Sequence, residues 1–151
     1  MTRWKTRALL GAAVVLAVMQ VIPVDRTNPP VEEEMPASPE VREVLRRACY
    51  DCHSNETVWP WYAHVAPVSF LVARDVNEGR RHLNFSTWNQ RSERRRARAY
   101  EEIREQVDEG EMPLWFYVPL HPEAKLTAAD QTLLHAWTVA QEATAPTPDG
   151  P

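Results

Sequence analysis

Both cysteines of this chain lie in one pentapeptide, Cys49-Tyr50-Asp51-Cys52-His53. Two thiols three positions apart fall within one helical turn, so their sulfurs can reach the two vinyl groups on one edge of a porphyrin. A histidine directly after the second cysteine is then placed to bind the iron as its proximal ligand. The pentapeptide therefore predicts one covalently attached haem c, with Cys49 and Cys52 forming thioethers and His53 binding the metal.

A Cys-x-x-Cys pair has three other common uses. Zinc needs about four ligands, and the sequence offers no second pair of cysteines or histidines at short spacing. A thioredoxin-like redox motif is expected within a βαβ pattern, and we find no convincing strand in the sequence. A structural disulfide would close a loop too small to add much stability. Haem attachment is the interpretation that we adopt.

Composition favours one small helical domain. Glycine is scarce, at four residues in 151, and apolar residues do not alternate with polar ones as in strands. Thirteen aromatic residues (six Trp, four Tyr, three Phe) suit a domain that covers a flat porphyrin. We predict an all-α fold, in which an N-terminal membrane-anchor helix precedes a domain of about four helices around one haem. The formal charge of −4 gives no reason to expect nucleic acid as a partner.

The N-terminal segment, residues 1–24, predicts export. Residues 8–24 are apolar except for Gln20 and would span roughly 25 Å as a helix, near the lower limit for a bilayer. Basic residues precede this run and acidic residues follow it, which favours a single pass through a bacterial inner membrane with the haem domain in the periplasm. A cleaved signal peptide is the alternative, since Val15-Leu16-Ala17 offers a small-residue cleavage site, and it also exports the domain.

The remaining boundaries follow from proline and charge. Residues 25–37 contain three prolines and three adjacent glutamates, which predicts an extended linker. The haem-binding domain is predicted over residues 38–142. Residues 143–151 contain three further prolines and predict a disordered tail.

Four helices are predicted in the domain. Ser38 is placed to cap the first, which leads into the pentapeptide. The second runs from Pro67 to Gly79 and the third from Thr87 to Glu109, each ended by a glycine. The last opens with the capping box Thr127-Ala128-Ala129-Asp130. The second helix is predicted to run through Val68, Leu71, Val72 and Val76. The apolar residues of the other three helices are Val41, Val44, Leu45, Ala48, Trp88, Tyr100, Ile103, Val107, Leu133, Leu134 and Trp137.

The sixth iron ligand is sought between the third and fourth helices, in residues 111–126, which we call the Met112 loop. A thioether sulfur suits haem iron, and Met112-Pro113 presents it on a backbone of restricted freedom. A second Glu-Met-Pro occurs at Met35, before the predicted domain begins. Packing in the core is the alternative role of Met112.

Histidines are the other candidates for the sixth position. His121 lies in the Met112 loop, where a surface or propionate-facing role is the alternative to ligation. His64 follows an aromatic segment and is placed either to reach the haem or only to pack. His82 and His135 are predicted to lie on polar helix faces.

Three aromatic residues come soon after the pentapeptide and are predicted to bind the cofactor. Trp59, Trp61 and Tyr62 can exclude water and donate hydrogen bonds to the haem propionates, and the alternative is core packing without haem contact. Arg74, Arg80 and Arg81 are further candidate partners of the propionates.

A series of short motifs carries a resemblance to the bacterial haem-binding domain family, whose members are small membrane-anchored proteins with one c-type haem motif. More distantly, the pentapeptide, the late Met-Pro and a terminal helix beginning Leu126-Thr127 are similar to class I cytochromes c. That similarity implies His53 as proximal and Met112 as distal ligand. The family motifs, in order, are Cys49-Tyr50-Asp51-Cys52-His53-Ser54-Asn55-Glu56-Thr57, Trp59-Pro60-Trp61-Tyr62, Ala66-Pro67-Val68-Ser69, Asp75-Val76, Gly79-Arg80, Leu83-Asn84-Phe85-Ser86 and Gly110-Glu111-Met112-Pro113.

Two functions compete at this point. A haem with histidine and methionine ligands predicts a carrier of single electrons between redox partner proteins, which the sequence does not identify. An iron with a labile or absent sixth ligand predicts a sensor or a peroxidase-like enzyme, with His64 or His121 as acid or base. An exported thiol protein without haem is a third possibility.

Overall fold

The computed structural model describes residues 3–144, and within them all regular elements are helical. The predicted all-α class is therefore confirmed. Residues 145–151, most of the predicted tail, lie outside the described residues, and residues 143–144 end the last helix. The α-helices are α1 (Arg3–Gln20), α2 (Pro39–Ala48), α3 (Tyr50–His53), α4 (Val68–His82), α5 (Glu93–Asp108) and α6 (Ala128–Thr144).

The ends of α2 and α6 are set by local capping. The Val41 N–H donates to Ser38 Oγ at 3.3 Å, and Pro39 occupies the first helical position. At the start of α6, Thr127 and Asp130 bind each other's backbone N–H groups, at 2.8 and 3.2 Å. Both predicted helix starts are thus found where the sequence placed them.

The core lies between α2, α5 and α6. The Tyr100 ring of α5 packs edge-on against Trp88 and Trp137, with ring centroids 5.3 Å from each. Leu45 and Leu134 fill the space between helices and are buried. Because α2 is fixed in this core, the cysteine pentapeptide that follows it begins at a defined position.

Helices α4 and α5 depart from the predicted bounds. Gly79 does not end α4, which continues to His82. The third predicted helix starts later, since Trp88–Gln90 forms a 3-10 turn and α5 begins at Glu93. Gly110, with a φ of 72°, does follow the end of α5, as predicted.

Residues 25–37, predicted as a linker, lie against the helical domain. The Met35 N–H donates to Phe85 O at 2.9 Å, and the Trp88 N–H donates to Glu33 O at 3.0 Å. The Met35 side chain is 1% exposed, inside the core. An extended proline-rich segment has the backbone shape that pairs with another extended segment, and its one large apolar side chain can then be buried. We call residues 27–35 the strap.

Helix α1 covers most of the segment predicted as a membrane anchor. It ends at Gln20 rather than Val24, and Arg3, Lys5 and Arg7 occupy its first turns, so its apolar part is shorter than the predicted run. Within residues 3–144, no helix has the length and apolarity that crossing a membrane requires. The predicted membrane-anchor helix is therefore not supported.

Candidate functional site

Four residues of the cysteine pentapeptide, Tyr50–His53, form the short helix α3, and Cys49 directly precedes this helix. The His53 Nδ1 atom lies 3.1 Å from Gly79 O and 3.1 Å from Leu83 O. Carbonyl oxygens only accept, so Nδ1 carries the proton and Nε2 keeps its lone pair. Burial lowers the pKa of His53, which favours the neutral ring. A neutral imidazole oriented through its other nitrogen is the usual form of a metal-binding histidine.

Gly79 brings α4 against the pentapeptide. A Cβ atom at this position would lie 2.5 Å from Cys52 O and 3.2 Å from Cys52 Cβ, distances that leave no room for any side chain. The close approach also places the Gly79 carbonyl against His53. The sequence pattern predicts a helix end at Gly79, and this packing role was not predicted.

The two cysteines are present as free thiols. Burial raises the pKa of Cys49 to about 12, and burial with the neighbouring Asp51 and Asp75 charges raises that of Cys52 to about 12. Both groups are therefore protonated at neutral pH. Two reduced thiols beside a histidine with a free nitrogen fit covalent haem attachment.

Trp59 supplies a second observation that fits a bound haem. Its indole Nε1 is buried and finds no hydrogen-bond partner in the part of the chain that the structure describes. A buried indole N–H normally has an acceptor, and a haem propionate is one. The neighbouring Trp61 is 77% exposed, and the Tyr62 hydroxyl contacts His121.

Exposed apolar side chains occur near the pentapeptide in two segments, 58–71 and 114–120. The Tyr62 hydroxyl, in the first segment, lies 2.6 Å from Nε2 of His121, which directly follows the second segment. Two segments that each expose several large apolar side chains are a candidate surface for a bound apolar group. A porphyrin would supply an apolar cover. The residues concerned are Val58, Trp61, Val65, Val68, Leu71, Trp115, Phe116 and Leu120.

Met112 is the second residue of the Met112 loop and is partly buried. Its backbone N–H donates to Gln106 O at 3.1 Å, which ties the start of the loop to the last turns of α5. Ligation by its sulfur stays a prediction. The duplicate Met35 is enclosed by the core, which separates the two Glu-Met-Pro sequences by environment.

The histidine candidates differ in their surroundings. His121 uses both ring nitrogens, since Nδ1 lies 3.2 Å from Glu123 Oε1 and Nε2 contacts Tyr62. A carboxylate only accepts, so Nδ1 donates to it and Nε2 of the neutral ring accepts from the tyrosine. His64 and His82 are exposed, and His135 lies 3.2 Å from Asp108.

The arginines proposed as propionate partners also differ. Arg80 donates to Ser54 O, Thr27 O and the Asn28 side chain, and so joins α4 to the strap and to the chain after the pentapeptide. Arg74 pairs with Asp75 and Arg81 with Glu78 at the surface. Arg80 is therefore a structural residue.

Asp51 and Tyr117 were not identified from the sequence. The Tyr117 hydroxyl donates to Asp51 Oδ2 at 2.7 Å, across 66 positions of sequence. Burial and this hydrogen bond raise the pKa of Tyr117, which keeps its proton on the phenol. The contact joins the Met112 loop directly to the pentapeptide. Only the location of Asp51 between the two cysteines could have drawn attention to it.

Comparison with known proteins gives one family. A family model described as a haem-binding domain matches residues 14–140. No curated protein and no solved structure matches the chain. The matched range includes the pentapeptide, Gly79, the Met112 loop and most of α6.

Proposed function

The chain belongs to the haem-binding domain family, and from this premise we propose that it is a c-type cytochrome that carries single electrons through one covalently attached haem. The orientation of His53 carries the proposal. Its Nδ1 atom is held by Gly79 O and Leu83 O, and its Nε2 lone pair is available beside two free thiols.

Five residues of this chain would hold the haem. Cys49 and Cys52 would attach the group, and His53 would bind the iron. Trp59 would donate its buried N–H to a propionate, and Met112 would supply the second protein ligand. A haem held by two protein ligands would supply one-electron chemistry with little change of structure, which suits a carrier between redox partner proteins.

The sixth ligand is tested by replacing Met112 with alanine. In the wild-type ferric protein we expect the weak far-red absorption band of iron–methionine ligation. Met112→Ala should remove that band and lower the reduction potential by on the order of 100 mV, because a thioether favours ferrous iron. The ferrous variant should also bind carbon monoxide readily, whereas the wild-type ferrous protein should bind it only slowly.

Met35→Leu is the matched control for this measurement. It removes the other Glu-Met-Pro thioether and nearly conserves volume in the core, so it should change neither the band nor the potential. Wild-type protein that binds carbon monoxide readily, with a spectrum that Met112→Ala leaves unaltered, would contradict the carrier. The sensor or peroxidase-like function would then be preferred, with His64 and His121 as the next residues to replace.

We also propose that the haem domain is exported to the periplasm of a bacterium. Three basic residues followed by an apolar segment are typical of an export signal. In spheroplasts, added protease should degrade the domain while a cytoplasmic protein stays intact. Degradation that requires lysis would contradict export.

A further inference from the structure

Arg47 of α2 donates to Glu123 O and Lys125 O near the end of the Met112 loop, whereas residues 111–121 are fastened to the rest of the domain at few points. Residues 111 and 112 donate backbone N–H groups to Gln106 O. Beyond these, among the described residues, the hydrogen bonds from residues 113–121 to distant parts of the chain are made by two side chains, Tyr117 and His121. The other hydrogen bonds of that stretch, among the described residues, are made within it or to Glu123 and Ala124.

Those two side chains act as one unit. Their rings are stacked, with centroids 4.0 Å apart and planes inclined by 5°. The Tyr117 hydroxyl donates to Asp51 between the haem-attaching cysteines, and His121 Nε2 lies 2.6 Å from the Tyr62 hydroxyl. We call Asp51, Tyr62, Tyr117 and His121 the clasp.

Asp51 is suited to hold two segments at once. Its Oδ1 accepts the Val58 N–H at 2.9 Å, and its Oδ2 accepts the Tyr117 hydroxyl at 2.7 Å. One carboxylate therefore fixes the chain that leaves the pentapeptide and the loop that contains Met112. Hydrogen bonds to a charged acceptor are among the stronger ones in proteins.

We propose that Tyr117 is a positioning residue, which through the clasp holds the Met112 loop against the haem-attaching helix and so keeps the sixth iron ligand in place. This inference rests on the proposed function. It adds that the iron's coordination is controlled by a contact five residues beyond Met112, made by a phenol that does not touch the metal.

The test is Tyr117→Phe in the full-length, haem-loaded protein. Phenylalanine keeps the stacked ring and removes only the hydroxyl. A hydrogen bond of this kind changes an opening equilibrium by about tenfold or more. We expect amide hydrogen exchange in residues 114–121 to accelerate by about that factor, the ferrous protein to bind carbon monoxide about tenfold faster, and the far-red band to weaken.

Tyr100→Phe is the matched control. Tyr100 is also buried, but its ring lies in the core between Trp88 and Trp137, and its hydroxyl has no hydrogen bond among the described residues. It should change none of the three measurements. Tyr62→Phe, which opens the other end of the clasp, should act in the same direction as Tyr117→Phe.

Three results would overturn the proposal. Unchanged exchange in Tyr117→Phe would show that the loop is held by other means. Faster exchange with unchanged carbon monoxide binding would show that the clasp does not position a ligand. If the wild-type protein lacks the far-red band, no methionine binds the iron, and there is no ligand for the clasp to position. This result would contradict the proposed function itself, and it is seen before any substitution is made.

Discussion

Replacing both Cys49 and Cys52 with alanine should abolish all haem that survives denaturation. The wild-type protein should retain haem stain on a denaturing gel after extraction with acidified acetone, because thioether bonds resist both treatments. The double variant should lose the whole of this signal. Both thiols are uncharged and partly buried, so alanine should leave the fold largely intact.

The two single variants test each thioether bond separately. Cys49→Ala and Cys52→Ala should each keep one bond and a reduced amount of attached haem. Their ferrous absorption bands should shift to longer wavelength, because one vinyl group stays conjugated with the ring. Haem that extracts freely from wild-type protein would contradict covalent attachment, while leaving haem binding by the family domain intact.

Gly79→Ala should destabilise the protein, although alanine is normally the better helix former. In an open helix the exchange would stabilise by up to about 1 kcal/mol. Here the added Cβ would lie 2.5 Å from the Cys52 carbonyl oxygen. This oxygen belongs to the backbone, so it cannot move away by a side-chain rotation. Forcing α3 and α4 apart should cost about 2 kcal/mol or more after that gain is subtracted. Denaturant unfolding of the haem-loaded protein measures the difference.

Gly11→Ala is the matched control for this substitution. Gly11 also lies inside a helix, α1, and a Cβ there would meet nothing within 4 Å. It should leave the unfolding midpoint of the domain unchanged. A Gly79→Ala protein as stable as wild type would show that α4 does not need its close approach to the pentapeptide.

Features set by neighbouring residues were predictable from the sequence. Ser38 caps α2 three positions away, and Thr127 with Asp130 caps α6 over the same distance, so residue type and spacing were sufficient. Gly110 ends α5 because only a glycine takes its left-handed backbone conformation readily. The pentapeptide indicated haem for the same reason, since its chemistry is complete within five residues.

Features that depend on a distant partner were not predictable in this way. Gly79 and Gly110 look alike in sequence, and only the presence of Cys52 beside Gly79 shows that one permits close packing while the other ends a helix. The hydrogen bond between Asp51 and Tyr117 spans 66 positions. The composition of residues 25–37 predicts a solvated linker. It does not indicate that Met35 is buried in the core, because the residues that surround Met35 come from other parts of the chain.

The strap has a consequence for the segment that contains the two cysteines. By pairing residues 32–35 with residues 85–88, it closes a ring of chain that contains the two haem-attaching cysteines. The two thiols lie partly buried within this ring. The position of the cysteines therefore depends on contacts made by residues that precede the predicted haem-binding domain.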